Sequence, residues 1–281
     1  MKLRNKVAIV TGAGRGIGEA ISLAFAGEGA DIALVSRTAS EVMHTATAVE
    51  NLGRRAIAIR ADVSEKKDVD NMVEQVIGQL GKVDILVNNA GILGPIGPMV
   101  DNKHEYWIKT ILTNLVGTFL CCKAVLPFMI RRRMGKILNM SGGGAANPRP
   151  MFSAYSASKA AVVRLTETLS EEVKEYNIQV NAIAPGPVNT GMLDEILAAG
   201  ESAGSRAMAE ARRQKQTGGV SPAVPAALAV FLASDDSDGI TGRLISAVWD
   251  DWQAMAKRIP DIMSGDMYTL RRISPPEQGK G

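Results

Sequence analysis

The chain has 281 residues, 46% of them hydrophobic and 22% charged, with a formal net charge of +3 from 32 basic and 29 acidic side chains; this is the composition of one large globular domain and is somewhat short for two. The charge excludes a nucleic-acid footprint, since only "RRRMGK" (Arg131 to Lys136) is locally basic and it reads as a solvated helix end suited to the dipole. Adjacent Cys121 and Cys122 give no disulfide framework, the first apolar run is not a signal peptide's, and nothing approaches ~18 uninterrupted apolar residues, so a cytoplasmic protein with no membrane span is expected.

The first predicted strand, "KVAIV" at 6–10, runs into "TGAGRGIG" (Thr11 to Gly18), which opens the first helix. In that context Gly12 permits the tight turn, Gly16 lets the backbone approach a pyrophosphate, and Gly18 permits close helix packing, while the helix N-terminus offers aligned N–H groups to an anion. A purely structural glycine turn is the alternative at this stretch. The second strand, "DIALVS" at 31–36, ends on Ser36 and Arg37, where an NAD-specific protein would place an acid for the ribose 2′-hydroxyl. A guanidinium there, with Arg15 inside the turn, attracts a 2′-phosphate, so NADP(H) is the expected cofactor and NAD(H) the alternative.

Further strands are predicted at 56–61, 83–89, 135–141, 178–184 and 242–248. Between them, Ser40 to Gly53 and Ser64 to Gly81 read as helices opening on a capping serine and closing on glycine. Strands alternating with helices imply βαβ units and a parallel sheet whose strands are apolar on both faces. Gly191 to Gly219 and the tail from Trp249 break the rhythm. His44 and His104 are isolated, so no metal site is expected.

Together "TGAGRGIG", "NNAG" (Asn88 to Gly91), "YSASK" (Tyr155 to Lys159) and "PGPVNT" (Pro185 to Thr190) resemble the short-chain dehydrogenase/reductase family in order and spacing, over residues 6 to about 245. The resemblance implies a single α/β domain at 1–248, a Rossmann-like doubly wound sheet of seven mainly parallel strands with helices on both faces, a substrate lid at 191–219, and a C-terminal extension at 249–281. It implies a dinucleotide bound by Gly12, Arg15, Gly16, Ile17, Gly18, Ser36, Arg37, Asp62, Val63, Asn89, Ala90, Gly91, Tyr155, Lys159, Pro185, Gly186, Val188 and Thr190. Asp62 would meet the adenine and Thr190 the carboxamide. Asn114 would support a water in a proton relay to Lys159.

Tyr155 and Lys159, four residues apart, share one helix face. Hydride arriving at a carbonyl leaves an alkoxide that needs a general acid. Tyr155 is that acid in this reading, and Lys159 is expected to lower its pKa and to hold the ribose. The family's serine stands thirteen residues before the tyrosine, and here that position is Gly142. Ser141 brought round by the "SGGG" turn, Ser153, or no direct replacement remain the alternatives, and Ser141 is carried forward as the catalytic candidate.

The expected activity is therefore an NADP(H)-dependent oxidoreductase acting on a small carbonyl or secondary alcohol. The alternative is a dinucleotide-binding sensor or scaffold with little catalysis. Arg149, Arg206, Arg212 and Arg213 could meet an anionic substrate such as a sugar nucleotide or keto acid, against the commoner case of solvated arginines. A homodimer or homotetramer through the helices around Asn114 and Tyr155 is expected, with the tail placing the tetramer in doubt. Among Trp249 to Trp252 a buried aromatic anchor is expected, with a polar substrate contact the alternative.

Overall fold

Each apolar run becomes a strand of one sheet in the computed structural model, which describes residues 1–272. Strands β1 (Val7–Thr11), β2 (Asp31–Ser36), β3 (Ala56–Arg60), β4 (Ile85–Asn88), β5 (Gly135–Met140), β6 (Ile178–Ala184) and β7 (Leu244–Ser246) lie in the order β3-β2-β1-β4-β5-β6-β7, and every pairing is parallel. The helices are α1 (Gly16–Gly27), α2 (Ala39–Asn51), α3 (Lys66–Leu80), α4 (His104–Ile111), α5 (Gly117–Arg132), α6 (Ser153–Val173), α7 (Gly191–Ala199), α8 (Ser205–Thr217), α9 (Ala223–Ala233) and α10 (Ile259–Met263).

Alternation along β1 divides the core in two. Ala8 and Val10 join Ile21, Phe25, Val49 and Leu232 from α1, α2 and α9, whereas Val7 and Ile9 join Met72, Val76, Val125 and Leu169 from α3, α5 and α6. The strand order reverses direction beside β1. A crevice therefore opens between the carboxyl ends of β1 and β4, where ligands bind in doubly wound sheets.

Helix starts differ from the sequence reading. Helix α2 begins behind Thr38, not Ser40, and α3 begins behind Glu65, not Ser64; neither makes a side-chain cap. The Ser64 hydroxyl instead donates to Asp62 Oδ1 at 2.7 Å. The glycine ends hold: Gly81 caps α3 in the left-handed region at φ 82°.

No uninterrupted apolar stretch of membrane-spanning length stands in the sequence, yet α4, a π-helical turn at Leu112–Val116 and α5 form one run, His104–Arg132, long and apolar enough by length and composition to cross a membrane. Its inner side packs into the sheet through Cys121, Cys122, Val125 and Met129. Tyr106, Ile108, Leu112 and Phe119 remain exposed on it.

After β7 the chain turns back over the first core. Trp252 packs on Phe231 with ring centroids 5.8 Å apart, and Met255 and Ile262 are buried, so Trp252 is the aromatic anchor while Trp249 is 73% exposed. Arg243 Nη2 donates to the carbonyls of Ile262 and Gly265, both at 3.0 Å, and the Leu244 N–H donates to the Tyr268 carbonyl at 2.7 Å. Residues 273–281 of the expected extension lie outside the described residues.

Candidate active site

Backbone sterics shape the turn after β1. Gly12 has φ +63°, and a Cβ on Gly18 would stand 2.2 Å from the Gly12 carbonyl oxygen, so the packing at Gly18 admits only hydrogen. Asn89 Nδ2 donates to the carbonyls of Thr11 and Gly12 at 2.9 and 3.1 Å, and Thr11 Oγ1 accepts from the Asn89 and Ala90 N–H groups at 3.0 Å each. These bonds lock the turn to β4. Gly16, at φ +60°, faces Thr190 across the crevice, with its missing Cβ 3.4 Å from Thr190 Cγ2. Gly14 was not singled out in the sequence, but a Cβ there would meet Glu41 Cβ of α2 at 2.5 Å.

At the adenosine end Arg37 Nη1 lies 3.8 Å from Asp62 Oδ2, and Arg15 Nη1 lies 3.7 Å from Glu41 Oε1. Ser36 Oγ accepts from the Thr38 N–H at 3.1 Å. Burial pushes the Asp62 carboxyl up, but hydrogen bonds from Ser64 and the charges of Arg37 and Lys109 outweigh it and hold the group below its ordinary value.

The first turns of α6 bring Tyr155 and Lys159 into a cleft of about 1410 Å³ over the carboxyl ends of the strands. That is above the usual ~300–1,000 Å³ of a small-molecule pocket, roomy enough for a dinucleotide and a substrate together. Both residues are buried. Burial pushes Lys159 down to about 8, and its ammonium donates to the Met140 carbonyl at 2.8 Å. Burial raises the Tyr155 phenol, and the charge that opposes it is that of Arg149 rather than the expected Lys159.

Asn114 sits in the π turn, where its side chain is fully engaged. Nδ2 donates to the Ile92 carbonyl at 2.9 Å and to Ser158 Oγ at 3.0 Å, while Oδ1 accepts from the Ile92 N–H at 2.9 Å. Ser158 in turn donates to the Tyr155 carbonyl at 2.7 Å, so a hydrogen-bonded chain ties the loop after "NNAG" to the helix that carries Tyr155. Ser158 carried no signal in the sequence beyond its place inside "YSASK".

Parity along β5 decides the hydroxyl question geometrically. Asn139 bonds Asn88 and Thr166, and Ser141 continues the extended strand with its N–H on the Ile183 carbonyl. The Ser141 hydroxyl is buried without a hydrogen-bond partner, and the turn does not bring it to Tyr155. It is residue 142 that aims there, because a Cβ on Gly142 would lie 2.3 Å from the Tyr155 hydroxyl. Ser153 is occupied elsewhere, accepting from Trp107 Nε1 at 3.2 Å and Asn102 Nδ2 at 3.4 Å.

Of the remaining predicted residues, Ile17, Pro185, Gly186, Val188 and Thr190 line the same cleft, as do α7 and α8; Gly91 stands beside Asn114 and Lys159, whereas Val63 is buried against Gly117 and does not line it. A Val188–Val220 bridge closes the base of the 191–219 segment, and Gln214 Nε2 donates to Asn189 Oδ1 at 3.0 Å. Among the described residues no group of three or more His, Cys, Asp or Glu side chains could hold a metal.

Residues 6–200 match the family model described as short chain dehydrogenase. The 3β-hydroxysteroid dehydrogenase 1 of Eggerthella lenta is 38% identical over 244 residues, covering 85% of this chain and 91% of that protein. A 3-oxoacyl-[acyl-carrier-protein] reductase of Thermotoga maritima is 34% identical over 245 residues, covering 87% and 97%. The crystal structure of an NAD+-bound xylitol dehydrogenase superposes with a TM-score of 0.82 at 30% identity, over 88% of this chain and 98% of that one.

Proposed function

The chain belongs to the short-chain dehydrogenase family, and from that premise we propose that it is an NADP(H)-dependent oxidoreductase interconverting a carbonyl and a secondary alcohol, with Tyr155 as the general acid and base. The observation that carries this reading is the buried Tyr155–Lys159 pair in a cleft over the ends of β5 and β6 that reaches Ile17 and Asn89 beside the β1/β4 switch point, where Gly16 faces Thr190. The residues present suit a nicotinamide dinucleotide. The α1 N-terminus with Gly16 and Ile17 would hold its pyrophosphate, Arg37 and Arg15 its 2′-phosphate, Lys159 its ribose, and Thr190 its carboxamide. When bound, that group supplies or accepts the hydride at the substrate carbon.

The chain's own residues handle the proton. The Tyr155 hydroxyl gives its proton to the carbonyl oxygen in reduction and takes it back in oxidation, and Lys159 replenishes the phenolate. Arg149 favours that phenolate electrostatically. Asn114 and Ser158 hold the helix in position. The apolar outer side of α4 and α5 supports self-association through these helices.

Tyr155→Phe tests the reading, because it removes only the hydroxyl. Turnover of any substrate the protein reduces should fall about 10²–10⁴-fold, with NADPH affinity by fluorescence titration retained. A phenylalanine variant that keeps most activity would place the reaction elsewhere.

A further inference from the structure

The segment after β5 reads "SGGG" (141–144) and then, after three intervening residues, "PRP" (148–150), and the fold uses these pieces together. Gly142 leaves room for the Tyr155 hydroxyl, as described. Gly143 stands against Arg149: a Cβ there would lie 3.5 Å from Arg149 Nη1, at ordinary contact distance. Two consecutive residues thus form the floor of the cleft between Tyr155 and a guanidinium. Consecutive Cα atoms are ~3.8 Å apart, so the two polar ends lie within on the order of 10 Å of each other.

Arg149 is not a solvated surface arginine. It is half-buried in the wall of the cleft, between Pro148 and Pro150, and its guanidinium lies over the Phe152 ring with Cζ 4.0 Å from the centroid. Stacking fixes the plane and leaves the N–H edges free. Among the described residues its nitrogens make no ion pair or hydrogen bond. The acid whose charge reaches it, Glu210, accepts from Arg206 Nε at 3.0 Å, and Asp250, elsewhere on the same cleft, accepts from the Ser246 N–H at 2.6 Å. A partly desolvated cation that Glu210 compensates only through space, while pairing with Arg206, is costly to the free protein, and a ligand carboxylate in direct contact lowers that cost.

Resting on the reductase reading above, we infer that the substrate carries a carboxylate close to its reacting carbonyl, an oxo acid in one direction and a hydroxy acid in the other, and that Arg149 binds this carboxylate through paired N–H groups while the carbonyl oxygen meets Tyr155. The span fits a carboxylate one or two carbons from the carbonyl. Hydride adds to the carbonyl carbon as the Tyr155 proton passes to oxygen, and the carboxylate is unchanged.

The test compares short 2-oxo and 3-oxo acids with their methyl esters, using NADPH and the full chain. At least one acid should exceed its ester in kcat/KM by about tenfold or more, and should bind by calorimetry where the ester does not. Arg149→Gln should lower that acid-to-ester ratio about 10- to 100-fold, with Arg149→Lys retaining part of it because a lone ammonium cannot make the bidentate contact. Gly143→Asp provides a second route that leaves Arg149 in place: its Cβ stands at ordinary contact distance from the guanidinium, and its carboxylate should compete with the substrate and lower the same ratio. Esters handled as well as acids, acids that neither bind nor react, or a ratio unmoved in both variants would overturn the assignment. Failure of the protein to bind NADPH would instead remove the reductase reading beneath it.

Discussion

Gly142→Ala and Gly142→Ser, made together, separate the steric from the chemical consequence of the glycine. A Cβ at this position would lie 2.3 Å from the Tyr155 hydroxyl and 3.0 Å from its Cζ. Ordinary contact begins near ~3.4 Å, so the phenol must retreat by about 1 Å. The tip of a side chain can yield that far, and overpacking of this kind costs about 1–3 kcal/mol of stability. A displacement of ~1 Å at a reacting group costs about 10² in rate, so Gly142→Ala should lose about 10² in kcat/KM. Gly142→Ser imposes the same displacement but adds a donor beside the developing alkoxide, worth about 10²–10³. The serine variant should therefore exceed the alanine variant by that factor and come near or above the unmodified protein. The assay is NADPH oxidation with one reducible substrate, with thermal unfolding to correct for stability. Equal rates for serine and alanine would refute the oxyanion argument. An alanine variant as fast as the unmodified protein would refute the placement of Tyr155 against residue 142.

Ser141→Ala should leave turnover within about threefold and stability unchanged or slightly raised, since it removes a buried hydroxyl without a partner; a loss of about 10² or more would make Ser141 the donor after all. Lys159 has a folded pKa of about 8 against 10.5 for the free group, so the unfolded chain binds more protons between those values and the penalty of the buried charge is full below pH 8 and fades as pH approaches 10.5. Lys159→Met should accordingly stabilise the fold by about 1–3 kcal/mol at pH 7 and by much less near pH 10, in urea denaturation at both; a gain independent of pH would refute the buried ammonium. NADPH should bind about tenfold more tightly than NADH, and Arg37→Asp should narrow or invert that preference in fluorescence titrations, whereas equal affinities in the unmodified protein would refute the role of Arg37.

The parallel sheet and the Tyr155–Lys159 face were legible because both rest on local regularities: apolar strands covered on two faces, and a helical repeat that puts residues four apart together. Helix starts were less legible. Thr38 and Ser40 are both competent caps on sequence, and the extended backbone at Thr38 (φ −100°, ψ 104°) sets the boundary. The need for glycine at 14 depends on Glu41 of a helix one strand away, and the burial of Arg149 depends on Phe152, Gly143 and the wall of the cleft. The parity argument against Ser141 was stated on sequence, but whether the glycine turn would overturn it depended on pairing with Ile183. The π turn around Asn114 follows from bonds to Ile92 and Ser158, 22 and 44 residues away, which no local pattern encodes.

The late segment that folds back beside β7 also reaches α6, the helix that carries Tyr155. Glu167, buried on α6 three turns beyond Tyr155, accepts from the Leu270 N–H at 2.7 Å and from Arg271 Nη1 at 3.2 Å, and pairs with Arg164. A chain emerging from the ribosome can assemble β1 to β6 long before Leu270 and Arg271 exist, and until they arrive Arg164 is this carboxylate's partner and the outer edge of β7 stands bare. Completion of the domain is thus tied to the arrival of residues some hundred positions downstream of the glutamate that needs them. A nascent chain stopped short of Leu270 would carry the Tyr155 helix with the Glu167 carboxylate held by Arg164 alone and with an open strand edge, a combination open to chaperones and proteases.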